Sequence, residues 1–230
     1  MDTAVSGERL ISATECPTRQ GRSMAFQIEP LAIPDVCLLR PSLHRDGRGF
    51  LFESYRRDEL LRFGIAFDFV QENHSSSMSR GVVRGLHFQI PPHAQAKLVR
   101  CTRGSVLDVA IDIRVGCPTF GRHVSQLLSA DNKLQMWIPP GFAHGFCALE
   151  ADSEVVYKLS QYYSPECERG VSIDDPKAVS SDSLVPRPPA KSTAFIMMPF
   201  LLRDIQLIVR DQVDVPPVAA LVPENWTIVS

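Results

Sequence analysis

Between Phe26 and Leu159 the chain is built of short alternating stretches broken by turn-forming residues. Ser105 to Ile113 is the clearest of them. Leu107, Val109, Ile111 and Ile113 share one face, and Asp108 and Asp112 take the other, which is the period of a strand. Further strands are predicted over Ile33–Leu39, Phe50–Tyr55, Phe67–His74, Gly81–Gln89, Lys97–Cys101, His123–Leu128, Gln135–Ile138, Ala143–Ala148 and Ser153–Leu159. Turns are predicted at Asp46-Gly47, Gly116–Gly121, Ala130–Asn132 and Pro139–Gly141, and a loop at Ser75–Arg80. Arg57–Phe63 carries the one short helical pattern. Many short strands with a single short helix predict an antiparallel sandwich or barrel. Long helices and a Gly-rich phosphate loop, the marks of a nucleotide-binding α/β fold, are not in the pattern.

The ends read differently. Residues 1–23 are polar and aperiodic, which predicts a disordered extension, with Met24 as an alternative start and order beginning at Phe26. Residues 24–176 form the expected domain. Residues 177–230 are rich in Pro and Ser and then Val, and predict a divergent segment that packs on the domain or trails it. A length of 230 residues, 44% hydrophobic and 22% charged, suits one soluble domain with tails. The formal net charge of -2 gives no bulk electrostatic case for nucleic acid or membrane surfaces. The six cysteines form no C-x-x-C pair, which predicts free thiols in a reducing compartment and a cytoplasmic location. No apolar run is long enough for a membrane span.

Candidate chemistry gathers in Gly81 to Arg100. Arg84, His87, Gln89, Gln95, Lys97 and Arg100 stand there among apolar residues. Such a cation-rich strand pair suits an anionic ligand, with His87 as a proton-transfer group. Arg84 and His87 would face opposite ways in an unbroken strand, but Gly85 permits a bulge that turns both to one cavity. Ordinary solvated cations on a hairpin are the competing reading. Pro139-x-Gly141-x-x-His144 resembles the second half of a cupin signature. The first half of a metal cupin has His-x-His, and here it reads His87-Phe-Gln89, so a metal site is poorly supplied. Tyr157, Tyr162, Tyr163 and Glu168 place phenols near a carboxylate, and a phenol can donate a proton, although strand tyrosines more often only pack. Asp108 or Asp112 could point inward and orient His87.

Taken together, several motifs resemble the dTDP-4-dehydrorhamnose 3,5-epimerases. They are Asp46-Gly-Arg48-Gly-Phe50…Glu53-Ser-Tyr55, Gln71-Glu72-Asn73, Arg84-Gly-Leu-His87-Phe-Gln89, Gln95-Ala-Lys97, Leu107-Asp108…Asp112, Pro118-Thr-Phe-Gly121, Gly141-Phe-Ala-His144 and Tyr157-Lys158…Tyr163…Glu168. The resemblance implies an all-β, cupin-like antiparallel jelly-roll barrel with few short helices. It implies an isomerase that inverts C3 and C5 of a dTDP-4-keto-6-deoxyhexose, in the route to dTDP-L-rhamnose. The C4 ketone acidifies both C–H bonds. His87 would be the base, Tyr157 the opposing acid, and Lys97 would stabilise charge on the C4 oxygen. Arg84 and His144 would hold the substrate near the reacting centre. Arg48, Glu53, Gln71, Glu72, Asn73, Tyr163 and Glu168 would belong to the sugar-nucleotide site. No metal or redox cofactor is implied, and the partner expected besides the substrate is a second copy in a homodimer.

The resemblance weakens after Asp174-Asp175-Pro176, where the family's Trp-Pro segment is missing. Family members then carry a Ser-x-Lys-Asp stretch whose Asp pairs with the base histidine. The nearest match here is Leu202-Arg203-Asp204. Asp204 is therefore the expected partner of His87, with Asp108 as the substitute, and Arg203 a further substrate contact. Rival readings are a 3-epimerase or ketoisomerase on a related sugar, a non-catalytic sugar-nucleotide-binding cupin and a metal cupin.

Overall fold

The computed structural model describes residues 24–170. The expectations for residues 1–23, and for the stretch beyond Gly170 with Arg203 and Asp204, lie outside the described residues.

Among the described residues, thirteen strands and one short helix run in the order β1 (Phe26–Pro30), β2 (Cys37–Pro41), β3 (His44–Asp46), β4 (Gly49–Leu51), α1 (Arg57–Arg62), β5 (Gln71–Ser77), β6 (Val83–Gln89), β7 (Lys97–Arg103), β8 (Ser105–Asp112), β9 (His123–Ser129), β10 (Gln135–Ile138), β11 (Phe142–Ala148), β12 (Ser153–Leu159) and β13 (Glu168–Gly170). They form a six-stranded sheet, β1-β2-β10-β7-β12-β5, and a five-stranded sheet, β13-β6-β11-β8-β9, with β3–β4 as a separate hairpin. Every pairing is antiparallel. Consecutive strands often lie in different sheets, as in a jelly roll, where the two inner faces meet to make the core.

That core contains Val99, Cys101, Val106, Ala110, Met136, Ile138, Phe142, Phe146 and Val155, with Tyr157 packed on it. A second cluster lies outside the six-stranded sheet, where Leu60 of α1 packs with Phe26, Leu39, Leu98 and Trp137. A third, Leu86, Phe88 and Ala143 with Ile111 and Ile113, lies on the outer side of the five-stranded sheet.

These clusters give the orientation of β8, which alternation left open. The face that carries Asp108 and Asp112 also carries Val106 and Ala110, and it is this face that meets the other sheet. Both carboxylates are fully buried because each has a built partner. Asp112 accepts bonds from Arg114 and Thr119, and Asp108 is bonded to His144. The predicted loop at Ser75–Ser77 is instead the end of β5, paired with Val155–Ser153. Ile33–Asp35, expected as strand, is a turn closed by Val36 N donating to Ile33 O at 2.9 Å. Of the expected Phe50–Tyr55 strand only Phe50 and Leu51 are paired, in β4.

The bulge at Gly85 is present. His144 pairs with His87 and Phe146 with Arg84, so two steps on β11 match three on β6. Directly opposed residues share a face, so His87 and Arg84 both turn toward the six-stranded sheet. A Cβ on Gly85 would stand 2.5 Å from Gly145 Cα and 2.7 Å from His144 O, at a φ of +121°. Only glycine fits there.

Candidate active site

At one end of the barrel the sheets part around a cavity of about 160 Å³. Gln71, Asn73, Lys97, Tyr157 and Leu159 enter from the six-stranded sheet, and His87, Phe88, Gln89 and Glu168 from the five-stranded one. Gln95 and Tyr163 complete its wall from the connecting segments. His87, Lys97 and Tyr157, the three groups expected to carry the chemistry, therefore share one cavity.

Lys97 is 7% exposed and bridges the sheets, its Nζ donating to His87 O at 3.3 Å. Burial lowers its pKa to about 8, against the Asp108 and Glu168 carboxylates, which raise it. His144 is equally buried, and its Nε2 lies 2.5 Å from Asp108 Oδ1. Burial pushes His144 below the ordinary imidazole range. Asp108 opposes that shift and Lys97 adds to it. A carboxylate accepts, so the proton on His144 Nε2 is the one donated to Asp108.

The hydrogen bonds around Tyr157 have a fixed polarity. Tyr163 N–H, which can only donate, donates to Gln71 Oε1 at 3.0 Å. Gln71 Nε2 must then be the end that donates to Asn73 Oδ1, at 2.9 Å. Asn73 Nδ2 in turn donates to the Tyr157 phenol oxygen at 3.2 Å. With its oxygen already accepting, the phenol keeps its own proton for another acceptor.

The other expected residues are more scattered. Arg84 reaches across to β5, donating to Ser76 O at 2.7 Å and to Ser77 Oγ at 3.3 Å, and it does not line the cavity. Glu72 stands on the opposite face of β5 from Gln71 and Asn73, as period-two alternation requires, and is ion-paired with Lys158. Glu53 pairs with Arg56 at 3.1 Å. Arg48 sits on the exposed β3–β4 hairpin, folded back on Asp46. Asp108, the substitute partner for His87, is bonded to His144 instead, because the β8–β11 and β6–β11 registers put His144 between them. Glu168 accepts the Tyr163 phenol proton at 2.7 Å. Gln89 and Gln95 were not foreseen as site residues. A glutamine two residues after His87, on the same face of a strand, was the available signal.

No group of three or more His, Cys, Asp or Glu among the described residues could hold a metal ion. Gln89, in the place of a metal cupin's second histidine, has its amide engaged by the backbone at His93, Tyr162 and Ser164.

The sequence model of the dTDP-4-dehydrorhamnose 3,5-epimerases matches residues 30–181. The Shigella flexneri dTDP-4-dehydrorhamnose 3,5-epimerase is 51% identical over 144 residues, 62% of this chain and 79% of that protein. Among solved structures, the Legionella pneumophila dTDP-6-deoxy-D-glucose-3,5-epimerase in complex with dTDP-4-keto-L-rhamnose superposes with a TM-score of 0.65. It is 40% identical, over 74% of this chain and 89% of that one. A 3'-monoepimerase from Streptomyces bikiniensis, in complex with dTDP-quinovose, has a TM-score of 0.60 and 34% identity, over 69% of this chain and 80% of that one. The chain belongs to the dTDP-4-dehydrorhamnose 3,5-epimerase family.

Proposed function

We propose that the chain epimerises dTDP-4-dehydro-6-deoxy-D-glucose at C3 and C5, with His87 as base and Tyr157 as acid. The observation that carries the assignment is the placement of these two side chains. They enter one cavity from opposite sheets, and the Lys97 ammonium spans the space between the sheets. His87 takes the proton from the carbon next to the C4 ketone. The electron pair moves onto the C4 oxygen as an enolate, which the Lys97 charge stabilises. Tyr157 returns a proton to the opposite face, and its Asn73 partner leaves the phenol proton available for that transfer. Only protons move, so the reaction itself calls for no redox cofactor or metal.

His144 lies directly opposite His87 on the same face and suits the sugar; Arg84 shares that face and, turned from Ser76 and Ser77 toward the cavity, suits the diphosphate as a planar fork on two oxygens. Tyr163 supplies a flat ring for the nucleotide end. The β3–β4 hairpin holds Arg48 away from the described cavity, with Phe50 and Leu51 exposed. That supports a homodimer in which the hairpin reaches the site of a second copy. The described cysteines are free thiols, which supports a cytoplasmic setting.

Tyr157→Phe tests the assignment. Turnover is expected to fall by about 10²-fold or more while dTDP affinity changes less than about threefold. Unchanged turnover would remove Tyr157 from the reaction. The 3-epimerase reading is favoured by the similarity to the Streptomyces bikiniensis enzyme and differs only in sparing C5.

A further inference from the structure

Gln89 has no place in the proton chemistry, yet it is among the most firmly held polar side chains in the molecule. It is 7% exposed and lies on the His87 side of β6. Its Nε2 donates to His93 O at 2.7 Å and to Tyr162 O at 3.2 Å, and its Oε1 accepts from Ser164 N at 2.7 Å. Both amide protons and one acceptor site are used on main-chain groups, which have no freedom to turn away. Two of these contacts flank Tyr163 on either side. The Tyr163 N–H itself is held by Gln71, and its phenol by Glu168, which pairs with Gln89 in the β13–β6 ladder. Tyr163 is half exposed at the mouth of the cavity, carried on a segment with no strand or helix of its own. Three amides hold the segment, Gln95 at Gln161 O (2.9 Å), Gln71 at Tyr163 N and Gln89 at the two residues that flank Tyr163, and Gln89 is the most buried of them.

We propose that Gln89 is a positioning residue. It fixes the Tyr162–Ser164 segment so that the Tyr163 ring stands ready against the nucleotide, and so governs binding of the nucleotide end rather than proton transfer. This rests on the reading of Tyr163 as a nucleotide contact. It assigns to the amide a role in the place where a metal cupin would carry a ligand.

The test is a double-mutant cycle of Gln89→Leu and Tyr163→Ala, read by calorimetric titration with dTDP and by steady-state kinetics. Gln89→Leu is expected to weaken dTDP binding and raise KM by about tenfold, with kcat changing less than about threefold. The double variant is expected to bind dTDP no more weakly than the weaker single variant, since both act on one ring. Multiplicative losses, or a lowered Tm with dTDP affinity intact, would overturn the proposal. If Gln89→Leu does not fold, Gln89→Asn enters the same cycle, keeping both polar ends on a shorter stem. A wild-type chain that binds dTDP but exchanges no substrate proton would remove the epimerase reading, and the dTDP cycle would still decide the role of Gln89.

Discussion

At the scale of single residues, the site depends on a cation where a cation is costly. Burial of Lys97 lowers its pKa to about 8, so between pH 8 and the ordinary lysine value the unfolded chain holds a proton that the folded chain has released. Stability therefore rises with pH through that window, and the whole cost is present below it. Lys97→Met is predicted to raise stability at pH 7 by about 2 kcal/mol while abolishing turnover, measured by denaturant titration and product formation. The wild-type kcat/KM is predicted to decline as pH rises through about 8, as Lys97 loses the charge that stabilises the enolate. An upper limb unchanged up to pH 10 would show that its charge is not used. The polarity chain makes a second prediction. Asn73→Asp replaces the donor facing Tyr157 with an acceptor, so the phenol proton is drawn to the carboxylate. Turnover should fall about 10- to 100-fold with a smaller change in KM. From residue type alone only His87 stood out as a proton-transfer group; Lys97 and Tyr157 entered through the motifs that resemble the family, and the three line one cavity. The spacing of Gln89 two residues after His87 put it on the same face, but nothing in the sequence shows that its partners are main-chain groups, two of them more than seventy residues away.

At the scale of elements, the β6–β11 pair holds the site together. The bulge at Gly85 turns Arg84 and His87 to one face and seats His144 opposite His87. Gly85→Ala would drive a methyl group into the β11 backbone beside His144 and is predicted to cost roughly 3 kcal/mol or more. Thermal unfolding would measure that cost, and a Tm within a degree of wild type would contradict it. Most strands were readable from alternation, and the bulge from a glycine between two functional residues. What alternation left open or missed has separate causes. Alternation shows which residues share a face but not which face meets the core, and β8 is buried on both. Its aspartates are inside, Asp112 held by the local Arg114 and Asp108 by the distant His144 at Oδ1, while Asp108 Oδ2 is buried without a hydrogen-bond partner. The Ser75–Ser77 stretch looked like loop because serine has little strand propensity, and the ladder to β12 overrides that.

At the scale of the whole molecule, two sheets meet in one core and part at one end, and His87 and Tyr157 line that opening from opposite sheets. The β3–β4 hairpin stands apart from both sheets and carries Arg48. If it serves a second copy, subunits bearing Arg48→Ala and subunits bearing His87→Ala should recover turnover on mixing that neither population reaches alone. No recovery after verified subunit exchange would confine Arg48 to its own chain. The central claim, two-centre epimerisation through proton exchange beside the C4 ketone, is tested most directly by proton NMR of dTDP-4-keto-6-deoxyglucose incubated with the chain in heavy water. The account predicts loss of the signals at both C3 and C5. Exchange at C3 alone, or at neither carbon, would contradict it.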